Sequence, residues 1–217
     1  MNNMSNIVEP KRATLFQFDI ETLSLDNTNA VVAEIGCAVH KVEKGHDLKV
    51  TYDDSISILF DMQEQIDSGR HIGANVVQWW MKQNEDARLA MASSLNRVSV
   101  SAGISRLREW MLQKMLDDTN VYFMASAVQF DFGNIESLFK EAGILVPWPH
   151  NRIHSQRTLR MINEKNLNKE FEGEHTARLD AIKQNEVLLT ILGADGYKDE
   201  ENVSYAATQA LRTFFKL

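Results

Sequence analysis

The chain has 217 residues, 44% of them hydrophobic and 24% charged, enough apolar side chain to bury a core and too much for a disordered segment. No apolar run approaches the ~20 residues that span a bilayer, and residues 1–12 lack a secretory apolar stretch, so a cytoplasmic protein is expected. The net charge of −7 excludes a protein that coats nucleic acid non-specifically, but it is compatible with carboxylates gathered to hold cations.

In chain order, Thr14, Phe16, Phe18 and Ile20 alternate with Leu15, Gln17, Asp19 and Glu21, the period of a strand. Ala30 to Val39 is a small-apolar run of the kind found in a buried central strand, and its Cys37, the one cysteine, makes neither a disulfide nor a cysteine-based zinc site. Ile56, Ile58 and Phe60 alternate as a third strand. Helices follow: Asn75 to Met91, broken in two near Gln83-Asn84-Glu85-Asp86, then an amphipathic helix carrying Ile104, Leu107, Met111 and Met115. Val121 to Met124 predicts a fourth buried strand, Asp131 to Ala142 a helix stopped by Gly143, Pro147-Trp148-Pro149 an extended loop, and Arg178 to Leu192 a helix stopped by Gly193. A last helix runs from about Ser204 to Phe215. The order of elements gives an α/β chain with a mixed β-sheet flanked by α-helices, organised as one domain over residues 1–217.

Asp19 and Glu21 stand two apart at the end of the first strand, so both carboxylates share one face while Phe16, Phe18 and Ile20 take the other. Adjacent acids raise each other's pKa unless a cation lies between them, and an all-oxygen donor set suits Mg²⁺ or Mn²⁺. Asp131, directly after the fourth strand, is either a helix N-cap or a third carboxylate at the same sheet edge. His175 and Asp180 are five apart, about 140° on one helix, so they share a site only if His175 lies in the lead-in before the helix starts. Between His150 and Lys169, Arg152, Arg157, Arg160, Lys165 and Lys169 face one acid, Glu164, in a stretch that is either a solvated face or, if the carboxylates form a nuclease site, a surface that guides a polyanion.

Asp19, Glu21, Asp131, His175 and Asp180, in this order, resemble the signature of the DEDDh class of 3′–5′ exonucleases, which have the ribonuclease H-like fold. The likeness extends over about residues 13–192 through Phe18-Asp19-Ile20-Glu21-Thr22-Leu23, Ala33-Glu34-Ile35-Gly36, Gln78-Trp79-Trp80-Met81-Lys82-Gln83, Phe130-Asp131, Pro147-Trp148 and His175-Thr176-Ala177-Arg178-Leu179-Asp180-Ala181. It is similar to the phage and prophage branch that includes exodeoxyribonuclease VIII-like proteins and the mycobacterial-type 3′–5′ exoribonuclease domain. About 202–217 would then be a C-terminal helical extension. Two departures stand out: Ala125-Ser126-Ala127-Val128 where small polar residues are usual, and Ser155-Gln156 where an Asp usually precedes the Arg157-Thr158 pair.

The resemblance implies hydrolysis of phosphodiester bonds at the 3′ end of single-stranded RNA or DNA with two Mg²⁺ or Mn²⁺ ions. Asp19 would bridge both ions, Glu21 and Asp180 would complete one site, Asp131 would act directly or through a water, and His175 would be the general base. An imidazole, with an ordinary pKa of about 6.5, suits that task. Thr22, Leu23 and Phe132 are the expected substrate contacts; Trp79 and Trp80, about 100° apart on a helix, place at least one ring in the core, and both are expected there. A homodimer through Phe214-Phe215, or a packed core position for that pair, are both open. The rival class is a catalytically silent nucleic-acid-binding protein on the same fold, which the loss of any of the five residues would favour.

Overall fold

A computed structural model describes residues 11–45, 47–116, 120–162 and 175–196, together with Gln209, Arg212, Thr213 and Phe215. The strands are β1 (Lys11–Thr22), β2 (Val32–Lys44), β3 (Leu48–Leu59), β4 (Val121–Ala125) and β5 (Ile153–Ser155). They form one sheet in the order β3-β2-β1-β4-β5. β1, β2 and β3 pair antiparallel, whereas β4 and β5 run parallel to β1, so the sheet is mixed as the element order predicts. The helices are α1 (Met62–Asp67), α2 (Ala74–Trp80), α3 (Glu85–Ala92), α4 (Val100–Met115), α5 (Val128–Glu141), α6 (Gln156–Ile162) and α7 (Ala177–Leu192).

The period of two in β1 builds both faces of the sheet. Phe16, Phe18 and Ile20 point into a core with Ile104 and Leu107 of α4 and Ile135 and Leu138 of α5. Leu15 points the other way, into a core with Leu188, Leu189 and Leu192 of α7, and Phe215 is buried in that same core. Gln17 and Asp19 follow Leu15 on this second face, where both reach Gln184 of α7. A register irregularity between Glu21 and Thr22 ends the β1–β2 ladder, and bulges of this kind re-aim side chains at sheet rims.

Some elements differ from the sequence expectation. β3 begins at Leu48 because its N-terminal half lies along the sheet edge, where Lys49, Thr51, Tyr52 and Asp53 need no burial. α5 begins at Val128, three residues before Asp131, so Asp131 is not its N-cap; its Oδ2 instead accepts the N–H of the N-cap residue Ala127 at 3.0 Å. The break between α2 and α3 falls as expected, with Asn84 Oδ1 accepting from Ala87 N at 2.8 Å. The expected helix near Ser204–Phe215 and the basic residues Lys165 and Lys169 lie largely or wholly outside the described residues, as does Phe214. No helix among the described residues is long and apolar enough to cross a membrane.

Candidate active site

Three of the predicted carboxylates meet. Asp19 and Glu21 at the end of β1 and Asp180 in the first turn of α7 each offer an oxygen within 4.8 Å of the others, an arrangement able to hold a metal ion. They converge because α7 lies across β1 and β2 with its N-terminus over the end of β1. Gly36 of β2 makes this approach possible: a Cβ there would lie 2.1 Å from the Ala177 carbonyl carbon. Asp131 stands outside this compact trio, held by Ala127 N–H and 5% exposed. Its charge nevertheless acts on both Asp19 and Glu21.

The electrostatics are dominated by burial and by the mutual repulsion of these carboxylates. Burial, then Asp131, Glu21 and Asp180, hold the Asp19 carboxyl well above the usual carboxylate range; only the hydrogen bond from Gln184 pulls it down. Glu21 is pushed up to about 8, first by burial and then by Asp180, Glu34 and Asp131. Asp131 is raised to about 7 by burial, against the opposing Ala127 N–H and Arg157. Such shifts cluster at functional sites, and a nearby cation favours the charged form of a carboxylate.

His175 sits where the spacing argument requires, outside the helix: Thr176 is the N-cap of α7, and His175 before it is left-handed at φ 54°. Its ring meets Trp79 edge-on at 5.0 Å and Trp80 at 6.1 Å. The tryptophans therefore divide their roles. Trp80 is core as expected, 5% exposed, with Nε1 donating to Thr22 O at 2.9 Å. Trp79 corrects the expectation, because it is 44% exposed against His175.

The substrate contacts expected from sequence are only partly at the surface. Thr22 is buried, its hydroxyl donating to Ser24 O at 2.7 Å, but it lines a cleft of about 440 Å³ with Glu21, Leu25, Asn75, Trp79 and Phe130. Leu23 packs against the cluster of Val76, Trp80 and Ala87, whereas Leu25, which lines the cleft, is exposed. Phe132 is a correction: it is 3% exposed in the core, meeting Phe18 at 5.4 Å and Trp148 at 5.3 Å. Two positions earlier on α5 the helix turns by about 200°, and that residue, Phe130, lines the cleft. A second cleft of about 430 Å³ runs from Glu21 and His175 past Arg97 and Arg178.

Sequence reasoning missed Gln184, one turn after Asp180 on the same face of α7, although the i, i+4 spacing was visible. It also gave Glu34 no role. The two departures noted in the sequence meet each other: Ser126 Oγ donates to Gln156 Oε1 at 3.1 Å, and Gln156 Nε2 donates to the Gln184 carbonyl.

The mixed sheet thus carries a carboxylate trio and a histidine just ahead of its covering helix, and the family match over most of the chain makes it a 3′–5′ exonuclease of the DEDDh type. Residues 14–192 match the model of the family described as 3′-5′ exoribonuclease Rv2179c-like domain, and the chain belongs to that family. Its fold is that of the nuclease domain of 3′hExo, a DEDDh family member bound to rAMP, with a TM-score of 0.52 at 9% identity over 91% of this chain and 96% of that one. The chain is also similar to cell-death related nuclease 4, at TM-score 0.46 and 16% identity over 94% of this chain, and to product-bound exonuclease I, at TM-score 0.49 and 11% identity over 83%. It spans 62% of the first of these two and 44% of the second. No curated protein matches the chain.

Proposed function

We propose that this chain removes nucleotides from the 3′ end of single-stranded RNA by metal-dependent hydrolysis, with DNA as a second substrate. The observation that carries the reading is the oxygen-only trio of Asp19, Glu21 and Asp180 within 4.8 Å, whose Glu21 lines the cleft that holds His175. RNA is favoured over DNA by the family description. The complete set of five residues favours an enzyme over a silent binding protein.

The residues present fit divalent cations, because Asp19, Glu21 and Asp180 form an all-oxygen donor set suited to Mg²⁺ or Mn²⁺, and burial together with neighbouring negative charge raises the pKa values of Asp19 and Glu21. Asp19, Glu21 and Asp180 would hold them, with Asp131, tethered to Ala127 N–H, acting through a water. Bound there, the cations supply positive charge to the phosphate and lower the pKa of the attacking water. The protein's own groups do the rest. His175 takes the proton of that water, its ring orientation fixed by Trp79 and Trp80. Gln184 orients Asp19 through a 2.8 Å hydrogen bond. The terminal nucleoside occupies the cleft of Leu25, Trp79 and Phe130, where stacking on exposed rings is tolerant of base identity. Arg178 and the second cleft take the chain behind it.

Digestion of 5′-labelled RNA and DNA of one sequence, with Mg²⁺, Mn²⁺ or EDTA, tests the reading. A ladder shortening from the 3′ end, faster on RNA and abolished by EDTA, is expected. Cleavage that persists in EDTA, or none of either strand, contradicts it.

A further inference from the structure

We propose that Glu34 is a positioning residue for the active-site end of α7: its carboxylate holds the first two N–H groups of that helix and so sets His175 and Asp180 against Asp19 and Glu21. The inference rests on the reading of His175 and Asp180 as catalytic groups. The first N–H groups of a helix have no partner within it, and Thr176, the N-cap of α7, provides no side-chain bond to them. Glu34 provides it from a different strand. Its Oε2 accepts from Ala177 N at 3.1 Å, and its Oε1 accepts from Arg178 N at 3.4 Å and from Ser57 Oγ at 2.7 Å.

This is an unusual place for a carboxylate. Glu34 is 8% exposed and stands directly opposite Glu21 in the β1–β2 ladder, where like charges repel. Turned toward a helix N-terminus, the second negative charge meets the positive end of the helix instead. Two residues on, Gly36 lets the Ala177 backbone rest directly on β2. The helix start is thus fixed by one polar and one steric contact from the same strand.

Both functional groups of α7 depend on that start. His175 precedes the N-cap in a left-handed conformation, which a non-glycine residue keeps only when its surroundings impose it. Asp180 lies one turn on, its N–H donating to Thr176 O at 3.0 Å. A shift of Ala177 therefore moves the general base and one carboxylate of the trio together.

The test compares wild type with Glu34→Ala and Glu34→Gln by two readouts. The first is the NMR spectrum of the His175 ring protons, which carry ring-current shifts from Trp79 and Trp80 and need no catalysis to be read. The second is kcat and KM on the labelled RNA. In E34A the His175 resonances should lose those shifts and kcat should fall on the order of 10–100-fold with KM little changed. A change confined to folding would lower thermal stability without that split. E34Q has the same shape but sets an amide N–H₂ against one donor, so its kcat should fall less, and it decides the matter alone if E34A does not fold. Wild-type His175 resonances and kcat in the folded variants overturn the proposal. If wild type itself cleaves nothing, the functional reading falls, whereas the His175 resonances still decide for or against Glu34.

Discussion

Gln184 ties the two carboxylate-bearing elements together: its Nε2 donates to Asp19 Oδ1 at 2.8 Å while its Oε1 accepts from Gln17 Nε2 at 2.7 Å. Asp19 is thereby oriented by a buried relay of amides running from β1 to α7 and back. Gln184→Ala should lower kcat by about 10–100-fold with KM nearly unchanged. It should also cost about 1–3 kcal/mol of stability, because the buried Gln17 amide loses the shorter of its two hydrogen bonds and keeps only the one to Phe18 O. Steady-state kinetics and denaturant unfolding check the two effects separately, and an unaltered kcat removes Gln184 from the account.

Adjacent tryptophans should give opposite phenotypes. Trp80, buried and bonded to Thr22 O, is a stability residue, and Trp80→Ala should cost about 3–5 kcal/mol. Trp79 is 44% exposed in the cleft proposed to take the terminal nucleoside. Trp79→Ala should raise KM by the equivalent of about 1–3 kcal/mol with little change in unfolding free energy. Equal losses of stability in both variants would contradict this division.

The same contrast applies to α5. Phe132→Ala opens the core between Phe18 and Trp148 and should destabilise by about 3–5 kcal/mol. Phe130→Ala, at the cleft wall, should instead weaken substrate binding in a stably folded protein. Thermal melts beside KM values on RNA distinguish them.

The raised carboxyl pKa values make the stability of the metal-free protein depend on pH. In the folded state Glu21 holds its proton to about 8, against 4.5 for an ordinary glutamate, and Asp131 holds its proton to about 7, against 3.8. Over these windows the folded protein binds more protons than the unfolded chain, so stability falls as pH rises through them and levels off above about 8. In EDTA the melting temperature should therefore be higher at the acidic end of this window than at the basic end. Added Mn²⁺ should raise it most at the basic end, where the carboxylates are free of protons. A melting temperature in EDTA that rises with pH across the window would contradict the crowding of the trio.

Much of this was legible in the sequence wherever a local rule was at work. The alternation from Thr14 to Glu21 located β1 and put Asp19 and Glu21 on one face, and the spacing of His175 and Asp180 required the histidine to precede α7, as it does. What the sequence hid depends on tertiary neighbours. Phe130 and Phe132 have the same composition signal, and only the early start of α5 decides which one faces the cleft. Short elements such as α1, β5 and α6 carry too few residues for a period to show. Glu34 lies within a continuous apolar run, and nothing local says that its partners are the first N–H groups of a helix more than a hundred residues further on.

The most direct measurement is the turnover of labelled RNA by Asp19→Asn beside wild type, with Mn²⁺ binding followed on both. Asn keeps the shape and an acceptor for Gln184 but removes the charge at the centre of the trio. A folded protein with Mn²⁺ affinity sharply reduced and 3′ shortening abolished is expected. An Asp19→Asn enzyme that binds Mn²⁺ as tightly and shortens RNA as fast as wild type would show that the chemistry lies elsewhere.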